Sequence, residues 1–343
     1  MRQHLGRVRT TDGTELAIAE TGAGRPLVYV NGWVGHLGQD MAMPSVRAFY
    51  ASLGEGARLV RYDRAGCGLS SPSGRAPSLA FELEQLDAVV GALGPGPVDL
   101  MGTSLGAPVA AAWAAAHPDA VRRLVLYGGW VNGADLAPPD VRAHILGLVE
   151  AHWGLGSEVL TGVFAPDAPP ADRAEFGRYQ RASSTAATAR ALLALGYELD
   201  VGALLGRVHA PALVVHRAGD RAAPVAQGTA LARGIAGARL VVLSGRSHLP
   251  WVGDAAAVVA AVRRFLGLRV ARRAAGLLTS RQREVAALVS AGHTNREIAA
   301  HLGIEERSAE GHVERIRLRL GVRSRAQVAA WYAAHETGSP PAP

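Results

Sequence analysis

The sequence predicts an α/β fold with a doubly wound, mostly parallel sheet, followed by an all-α unit of four helices. Over residues 1–267, short apolar segments with the composition of buried strands alternate with helical segments. One of these strands, ending near Met101, passes directly into a helix of small residues through residues 102–106. From residue 276 no strand pattern follows, and capped amphipathic helices are expected to residue 336.

The length of 343 residues favours two domains. We expect a first domain over 1–267, a linker over 268–275, a helical domain over 276–336 and a disordered tail over 337–343. The predicted strands of the first domain are residues 14–20, 26–30, 58–63, 97–101, 123–128, 211–216 and 238–243, and its predicted helices are 79–93, 104–116 and 255–266.

A long insertion without any strand pattern separates the strands at 123–128 and 211–216. Helices are predicted within it over 140–155, 171–181 and 185–195. An insertion of this size between successive strands of one sheet indicates a helical cap over a site, at about residues 132–205. Trp153, Phe164 and Tyr179 are candidate residues for lining a pocket beneath it.

Gly102-Thr103-Ser104-Leu105-Gly106 matches the Gly-x-Ser-x-Gly pattern of a nucleophile elbow. In such a strand-to-helix turn the serine adopts a strained conformation, and its neighbours two positions away must be small. The alternative is a chance match in a chain with 41 glycines. The strand before the motif and the helix after it favour the elbow.

Serine becomes a nucleophile only when a base takes its proton and a third group holds that base. Asp220 and His248 follow the strands at 211–216 and 238–243, in the chain order expected after an elbow serine. The alternatives are that Asp220 only forms a turn and that His248 is an ordinary loop histidine. The oxyanion would be bound by the backbone N–H groups of Leu105 and Trp33.

Residues 1–267 resemble the α/β-hydrolase fold superfamily, in particular bacterial hydrolase-like domains fused to signalling outputs. The segments that carry the resemblance are residues 28–36, 62–70, 102–106, 216–220 and 248–251. It implies that Ser104 is the nucleophile, Asp220 the orienting acid and His248 the base. Asn31 stands where a histidine is usual, Asp63 and Arg64 are expected to brace their loop, and Cys67 to fill a small slot.

The C-terminal stretch has two predicted capping boxes, at Thr279 with Gln282 and at Thr294 with Glu297. Gly303 provides a tight turn before a third helix over 306–320, which is apolar on one face and carries arginines on the other. A short helix, a glycine turn and a longer basic helix form a helix-turn-helix pattern. The alternatives are a basic bundle that binds protein and arginines that are merely solvated.

Residues 276–336 resemble the LuxR-type DNA-binding domain. The resemblance implies that residues 306–319 form the recognition helix and that the helix from Arg325 pairs two copies into a dimer on a palindromic site. Arg319 stands where a lysine is usual and would contact phosphate. The residues expected to contact double-stranded DNA are Thr294, Asn295, Arg307, Ser308, Glu310, Gly311, Arg315 and Arg319.

Most of the excess positive charge lies near the C-terminus, where residues 268–343 contain 12 arginines and 7 acidic residues. This distribution suits a polyanionic partner.

The sequence shows no secretory leader and no membrane span, and its one cysteine fits a reducing compartment, so we expect a cytoplasmic protein. We expect no cofactor and no metal.

Two functions agree with these features. One is a transcription regulator whose hydrolase-like domain binds a small apolar ester or lactone-like ligand, with hydrolysis of that ligand left open. The other is an active serine esterase or lactonase with an accessory DNA-binding domain. A complete Ser-Asp-His set does not decide between them, because ligand-binding relatives of this fold retain it.

Overall fold

The computed structural model describes residues 3–269, 278, 280–320, 322 and 324–336. The chain divides into two compact units, Met1–Arg269 and Val270–Pro343. Most of the predicted linker, the predicted cap Thr279 and the predicted tail 337–343 lie outside the described residues.

An eight-stranded sheet organises the first unit, with strand order β1-β2-β4-β3-β5-β6-β7-β8. β1 and β2 pair antiparallel, as do β2 and β4, and all other neighbours are parallel, as the sequence predicted. The strands are β1 His4–Arg9, β2 Glu15–Thr21, β3 Pro26–Val30, β4 Arg58–Tyr62, β5 Val98–Thr103, β6 Val121–Tyr127, β7 Ala212–Arg217 and β8 Arg239–Leu243.

Both faces of the sheet are buried. Successive residues of β3 join different core clusters, with Val28 and Val30 in one and Leu27 and Tyr29 in the other, as alternation along a doubly covered strand requires. The helices of this unit are α1 Leu37–Ala42, α2 Pro44–Leu53, α3 Leu79–Gly91, α4 Gly106–Ala116, α5 Pro139–Ala151, α6 Trp153–Phe164, α7 Pro170–Ser183, α8 Ala186–Glu198, α9 Gly202–Leu205, α10 Val225–Gly234 and α11 Ala255–Leu266.

The sequence did not predict α1, α2 or α10. α1 contains Gly38 and has only six residues, and α10 contains Gly228. Glycine weakens intrinsic helix propensity, so these segments carry little local signal. α2 begins with Pro44 at its first turn, a position that proline tolerates, and buries Val46, Phe49, Tyr50 and Leu53.

The predicted cap helix over 140–155 was wrong, because the chain breaks at His152 and forms α5 and α6 there. His152 leaves helical geometry (φ −151°), and its ring accepts a hydrogen bond from the Leu155 N–H at 3.0 Å as an N-cap. Three glycines in α6 lower its helix propensity, so the sequence did not indicate a separate helix there. At Gly156 a Cβ would lie 3.0 Å from the Val149 Cα, so this glycine permits close packing of α5 on α6.

The described part of the second unit contains four helices, α12 Ser280–Ser290, α13 Asn295–Leu302, α14 Glu306–Leu320 and α15 Arg325–Glu336. The predicted capping box at α13 is present, with the Thr294 and Glu297 side chains exchanging hydrogen bonds with each other's backbone N–H. Gly303 then adopts a left-handed conformation (φ 62°) and ends the helix. This unit has its own apolar core, formed around Leu278, Val285, Ile298, Ala309, Ile316 and Val328.

Among the described residues, no helix combines the length and the apolar character needed to cross a bilayer.

Strand β5 and helix α4 lie so close together at Gly102 that no Cβ would fit between them. A Cβ at Gly102 would lie 2.2 Å from the Gly106 carbonyl oxygen and 2.7 Å from the Ala107 Cα, both of them backbone atoms that cannot move aside. We expect Gly102→Ala to lower the free energy of unfolding by about 1–3 kcal/mol, measured by urea denaturation.

The matched control for that substitution is Gly147→Ala. Gly147 lies within α5, and a Cβ there meets no atom within 4 Å. Because alanine has the higher helix propensity, this variant should gain about 0.5–1 kcal/mol. Equal stability of the two variants would contradict the proposed close approach at the elbow.

Candidate functional site

The turn between β5 and α4 holds Ser104 in a strained conformation. Ser104 has φ 56°, and it is the one non-glycine residue with positive φ among the described residues. That backbone region costs free energy for a residue with a Cβ and persists only where the surroundings enforce it. Here Gly106 packs against β3, since a Cβ on it would lie 2.2 Å from the Val30 carbonyl oxygen.

Three side chains from separate strand ends form a hydrogen-bonded chain. His248 Nε2 lies 2.7 Å from Ser104 Oγ, and His248 Nδ1 lies 2.7 Å from Asp220 Oδ2. An ionised carboxylate only accepts hydrogen bonds, so Nδ1 carries the ring proton. Nε2 is then free to accept the proton of the serine hydroxyl.

Asp220 is held as a carboxylate. Burial acts to raise its pKa, but the adjacent His248 and the backbone N–H of Ala223 outweigh burial and lower the pKa below its usual value. Asp220 Oδ1 accepts hydrogen bonds from the N–H groups of Ala222 (2.9 Å) and Ala223 (3.2 Å). These bonds fix Oδ2 toward His248.

The loop after β3 lies directly beside the serine. A Cβ on Gly32 would be 3.5 Å from Ser104 Cβ. The Arg64 guanidinium, paired with Glu82 at 2.6 Å, donates to the carbonyl oxygens of Gly32 and of Asn31 (2.9 Å for Asn31). Since the peptide is trans, the Trp33 N–H points away from the Gly32 carbonyl and so away from Arg64.

Asp63 also braces this region. Its carboxylate accepts hydrogen bonds from the Leu37 N–H at 3.1 Å and the Leu69 N–H at 2.8 Å. Burial raises the pKa of Asp63 to about 6, and these two hydrogen bonds act against that rise. The expected bracing contacts of Asp63 and Arg64 are therefore present, and Cys67 is buried in the same turn.

A cavity of about 180 Å³ opens above Ser104 and His248. The cap supplies much of its wall, including the predicted Phe164. The cap and core residues that line it share an apolar character and include Trp33, Leu105, Trp130, Ile145, Leu160, Val163, Leu192 and Leu193. A second cavity of about 40 Å³ also reaches Ser104 and His248, and the predicted Tyr179 lines it. Trp153 packs edge-on against Trp33, with ring centroids 5.8 Å apart.

Sequence reasoning did not identify Trp130, Leu160 or Arg221 as cavity residues. Trp130 follows β6 in the Gly128-Gly129-Trp130 turn, so its place after a strand end was an available signal. Arg221 lines the cavity next to Asp220. Leu160 lies on the unpredicted helix α6, and only the packing of the cap brings it to the site.

The exposed side of α14 carries four of the residues predicted to contact DNA, Arg307, Ser308, Glu310 and Arg315. The Arg315 guanidinium folds over Gly311, where its Nη1 lies 3.5 Å from the position of a Cβ. Arg319 is exposed but donates to Gln282 Oε1 on α12 at 3.1 Å, a contact that the sequence did not predict.

Thr294 and Asn295, also predicted to contact DNA, make contacts within the unit. The Thr294 hydroxyl donates to Glu297 Oε2 at 2.9 Å and accepts from the Glu297 N–H at 3.3 Å. Asn295 Oδ1 accepts from Arg325 Nη1 at 2.7 Å, which links the start of α13 to α15. Both residues therefore stabilise the geometry of the helix-turn-helix.

The chain matches two known families. Residues 25–252 match the alpha/beta hydrolase fold family, and residues 276–332 match the luxR family of bacterial regulatory proteins. A pimeloyl-[acyl-carrier protein] methyl ester esterase of Neisseria meningitidis is 30% identical over 195 residues, which cover 54% of this chain and 76% of the relative. A pyrrolizixenacetamide deacetylase of Xenorhabdus hominickii is 27% identical over 215 residues, covering 61% of this chain and 80% of the relative.

Solved structures show the same architecture. A hydrolase from Pseudomonas aeruginosa superposes with a TM-score of 0.65 at 27% identity and covers 77% of this chain and 98% of its own. An enol-lactonase from Burkholderia xenovorans superposes with a TM-score of 0.66 at 23% identity and covers 76% of this chain and 100% of its own. The chain therefore belongs to the alpha/beta hydrolase fold family, and it carries a C-terminal DNA-binding domain of the luxR family.

Proposed function

We propose that this protein is a DNA-binding transcription regulator whose hydrolase domain binds and hydrolyses a small apolar ester or lactone. The observation that carries the proposal is the strained Ser104, hydrogen-bonded at 2.7 Å to His248, which is hydrogen-bonded in turn at 2.7 Å to Asp220. This arrangement is the one that nucleophilic acyl transfer by serine requires.

In the proposed reaction, His248 takes the Ser104 proton as Oγ attacks the ligand's carbonyl carbon. Asp220 holds the Nδ1–H tautomer and stabilises the imidazolium that forms. The N–H groups of Leu105 and Trp33 are the proposed donors to the oxyanion. Arg64 supports this role, because it binds the carbonyl of the same peptide that carries the Trp33 N–H.

The apolar wall of the larger cavity supports an apolar acyl group as the bound portion of the ligand. Two relatives, named as a methyl ester esterase and a deacetylase, support cleavage of an acyl bond. The luxR-family domain supports a regulatory outcome of ligand binding.

DNA recognition is proposed through the exposed side of α14. Arg307 and Arg315 are suited to phosphate or guanine, and Glu310 is suited to the amino group of cytosine.

The pairing of two copies of the chain through α15 stays a prediction. Val328 of α15 is fully buried in the unit's own core, and Ala329, Trp331 and Tyr332 pack partly against that core. A second copy would therefore contact only the part of this apolar face that remains exposed.

Covalent labelling tests the nucleophile. A fluorophosphonate probe should attach to Ser104 in the wild-type protein, located by peptide mass spectrometry, because His248 activates this hydroxyl. Ser104→Ala should not react, whereas Ser73→Ala, which changes a serine outside both cavities, should react normally. Absence of labelling in the folded wild-type protein would contradict the proposed hydrolysis.

Asp220→Asn should slow that labelling about 10⁴-fold, since a neutral amide no longer holds the required histidine tautomer. The rate constant is measured with the same probe. Because the pKa of Asp220 is lowered, its carboxyl is ionised at neutral pH, and its titration should not alter the wild-type rate there. Asp167→Asn, at an exposed ion pair with Arg246, is the control and should label at the wild-type rate.

Electrophoretic mobility shifts on the DNA upstream of the protein's own gene test the second domain. Binding should weaken steeply with salt, because phosphate contacts release counterions. Arg315→Ala combined with Arg319→Ala should weaken binding about 10-fold or more and lower the salt slope by about two. Arg173→Ala with Arg178→Ala removes the same charge from α7 and should change little. Equal effects of both pairs would argue against α14 as the recognition helix.

A further inference from the structure

A groove of about 360 Å³ lies at the end of the sheet opposite the proposed catalytic residues. It is beside the amino ends of the parallel strands β6, β7 and β8, whereas the proposed catalytic residues follow the carboxyl ends of their strands. Three arginines line the groove, namely Arg123 near the start of β6, Arg239 at the start of β8 and Arg264 in the last turn of α11.

These three arginines carry positive charge without a direct acidic partner. None of them forms an ion pair within the described part of the chain, and the described residues that line the groove include no acid. Arg239 and Arg264 are exposed, whereas Arg123 is half-buried with its guanidinium 5.8 Å from the ring centre of Phe265. The guanidinium groups of Arg239 and Arg264 are therefore available to an external anion.

The positive charge continues along the same end of the sheet. Arg25, just before β3, is exposed. Burial raises the pKa of Asp99 on β5, and Arg122, Arg25 and Arg123 act against that rise, so these arginines lie near it. Asp99 is buried and already paired with Arg122. From β3 to Arg239 on β8 there are four strand spacings, about 19 Å.

The carboxyl end of α11 accounts for part of this charge. Arg264 lies in its last turn, and Arg123 Nη1 lies 2.9 Å from the position of a Cβ on Gly267. The negative end of a helix dipole favours such cations. The same explanation does not extend to Arg239 on the edge strand β8 or to Arg25, because they belong to other elements of the sheet.

The chain also leaves the first unit beside this groove, after α11. The carbonyl oxygen of Arg269 accepts a hydrogen bond from Arg263 Nε at 2.9 Å. Arg263 is buried and donates to the carbonyl oxygens of Ser52 and Glu55, each at 2.7 Å. These contacts fix the point from which the chain continues toward the second unit.

A short stretch of chain joins that point to the DNA-binding unit. Leu278, the first described residue of the second unit, is nine residues beyond Arg269. Nine residues span at most about 32 Å, which is less than one turn of duplex DNA, about 34–36 Å. Whatever the arrangement of the two units, the chain therefore tethers the basic end of the sheet close to a unit that binds DNA.

We infer that the amino end of the sheet is a second DNA-contacting surface, on which Arg239, Arg264, Arg123 and Arg25 bind backbone phosphates of the duplex beside the site contacted by α14. This inference goes beyond the proposed function, in which only the second unit contacts DNA. Phosphate contacts need no sequence match and are made mainly by arginine and lysine. A row of cations of this length suits an extended polyanion better than a small one.

Salt dependence tests this surface in the full chain. Arg239→Ala combined with Arg264→Ala, the groove pair, should weaken binding to a duplex of about 60 base pairs from upstream of the gene about 10-fold or more. It should also lower the slope of log K against log salt by about two, because each lost phosphate contact contributes about 0.9. Unchanged affinity and slope would overturn the inference.

The matched control is Arg173→Ala with Arg178→Ala, which removes the same charge from exposed positions on α7. It should keep the wild-type affinity and slope, because α7 belongs to the cap and not to the amino end of the sheet. Equal losses in the control and in the groove pair would show a general effect of net charge and would overturn the inference.

Hydroxyl-radical footprinting locates the contacts. At saturating protein, the groove pair should keep the protected site that α14 contacts and should lose protection of the phosphates that flank it. Absence of flanking protection in the wild-type protein would contradict the second surface.

Free oligophosphate is the other source of the same chemistry, and tripolyphosphate is the probe for it. We expect isothermal titration calorimetry to show no tight binding of tripolyphosphate to the wild-type protein. Tight binding that is lost in the groove pair, with the DNA salt slope unchanged, would overturn the DNA assignment and assign the groove to a small anion.

Failure of the proposed DNA recognition looks different. In that case Arg315→Ala with Arg319→Ala leaves DNA binding unchanged, whatever the groove pair does. If this α14 pair weakens binding and the groove pair does not, recognition by α14 stands and only the second surface is wrong.

Discussion

The close approach of strand β5, strand β3 and helix α4 around Ser104 is the constraint on which the rest of the first unit depends. Glycine at 102 and at 106 lets backbone atoms meet where any Cβ would lie 2.2 Å from a carbonyl oxygen. The contact forces Ser104 to φ 56° and brings its hydroxyl to the end of the sheet. Packing around the turn offsets the strain, since α4 is buried along nearly its whole length.

The other parts of the site depend on the same edge of the sheet. Parallel strands end together there, so Asp220 after β7 and His248 after β8 lie within hydrogen-bonding distance of one another, and His248 also lies within hydrogen-bonding distance of Ser104. Arg64 follows β4 and holds the loop after β3 by its carbonyl oxygens. The site is therefore supported by elements whose positions the sheet sets, which is how a preorganised site limits reorganisation during a reaction.

The cap closes the site through both apolar and polar contacts with the core. Phe164 packs beside Trp33 and His248, with ring centroids 6.2 Å and 5.7 Å away. Tyr179 on α7 donates to Asp40 at 2.8 Å in a buried contact and accepts from the His36 N–H at 3.2 Å in a partly buried one. A cap attached through these contacts has a defined position over Ser104, so the cavities that reach Ser104 depend on how the cap packs on the core.

The sequence by itself determined the architecture of both units, the elbow and the chain order of Ser104, Asp220 and His248, because these follow from local rules. Strand composition, glycine spacing and helix capping act over a few residues, and a strand end predicts where a side chain emerges. The capping box at Thr294 was readable for the same reason. Only the tertiary structure decided the break at His152, the contact of Arg319 with Gln282 and the two cavities at Ser104. The Arg319 contact and the cavities depend on which distant segments pack together, and the helix after His152 carries little local signal because it contains three glycines.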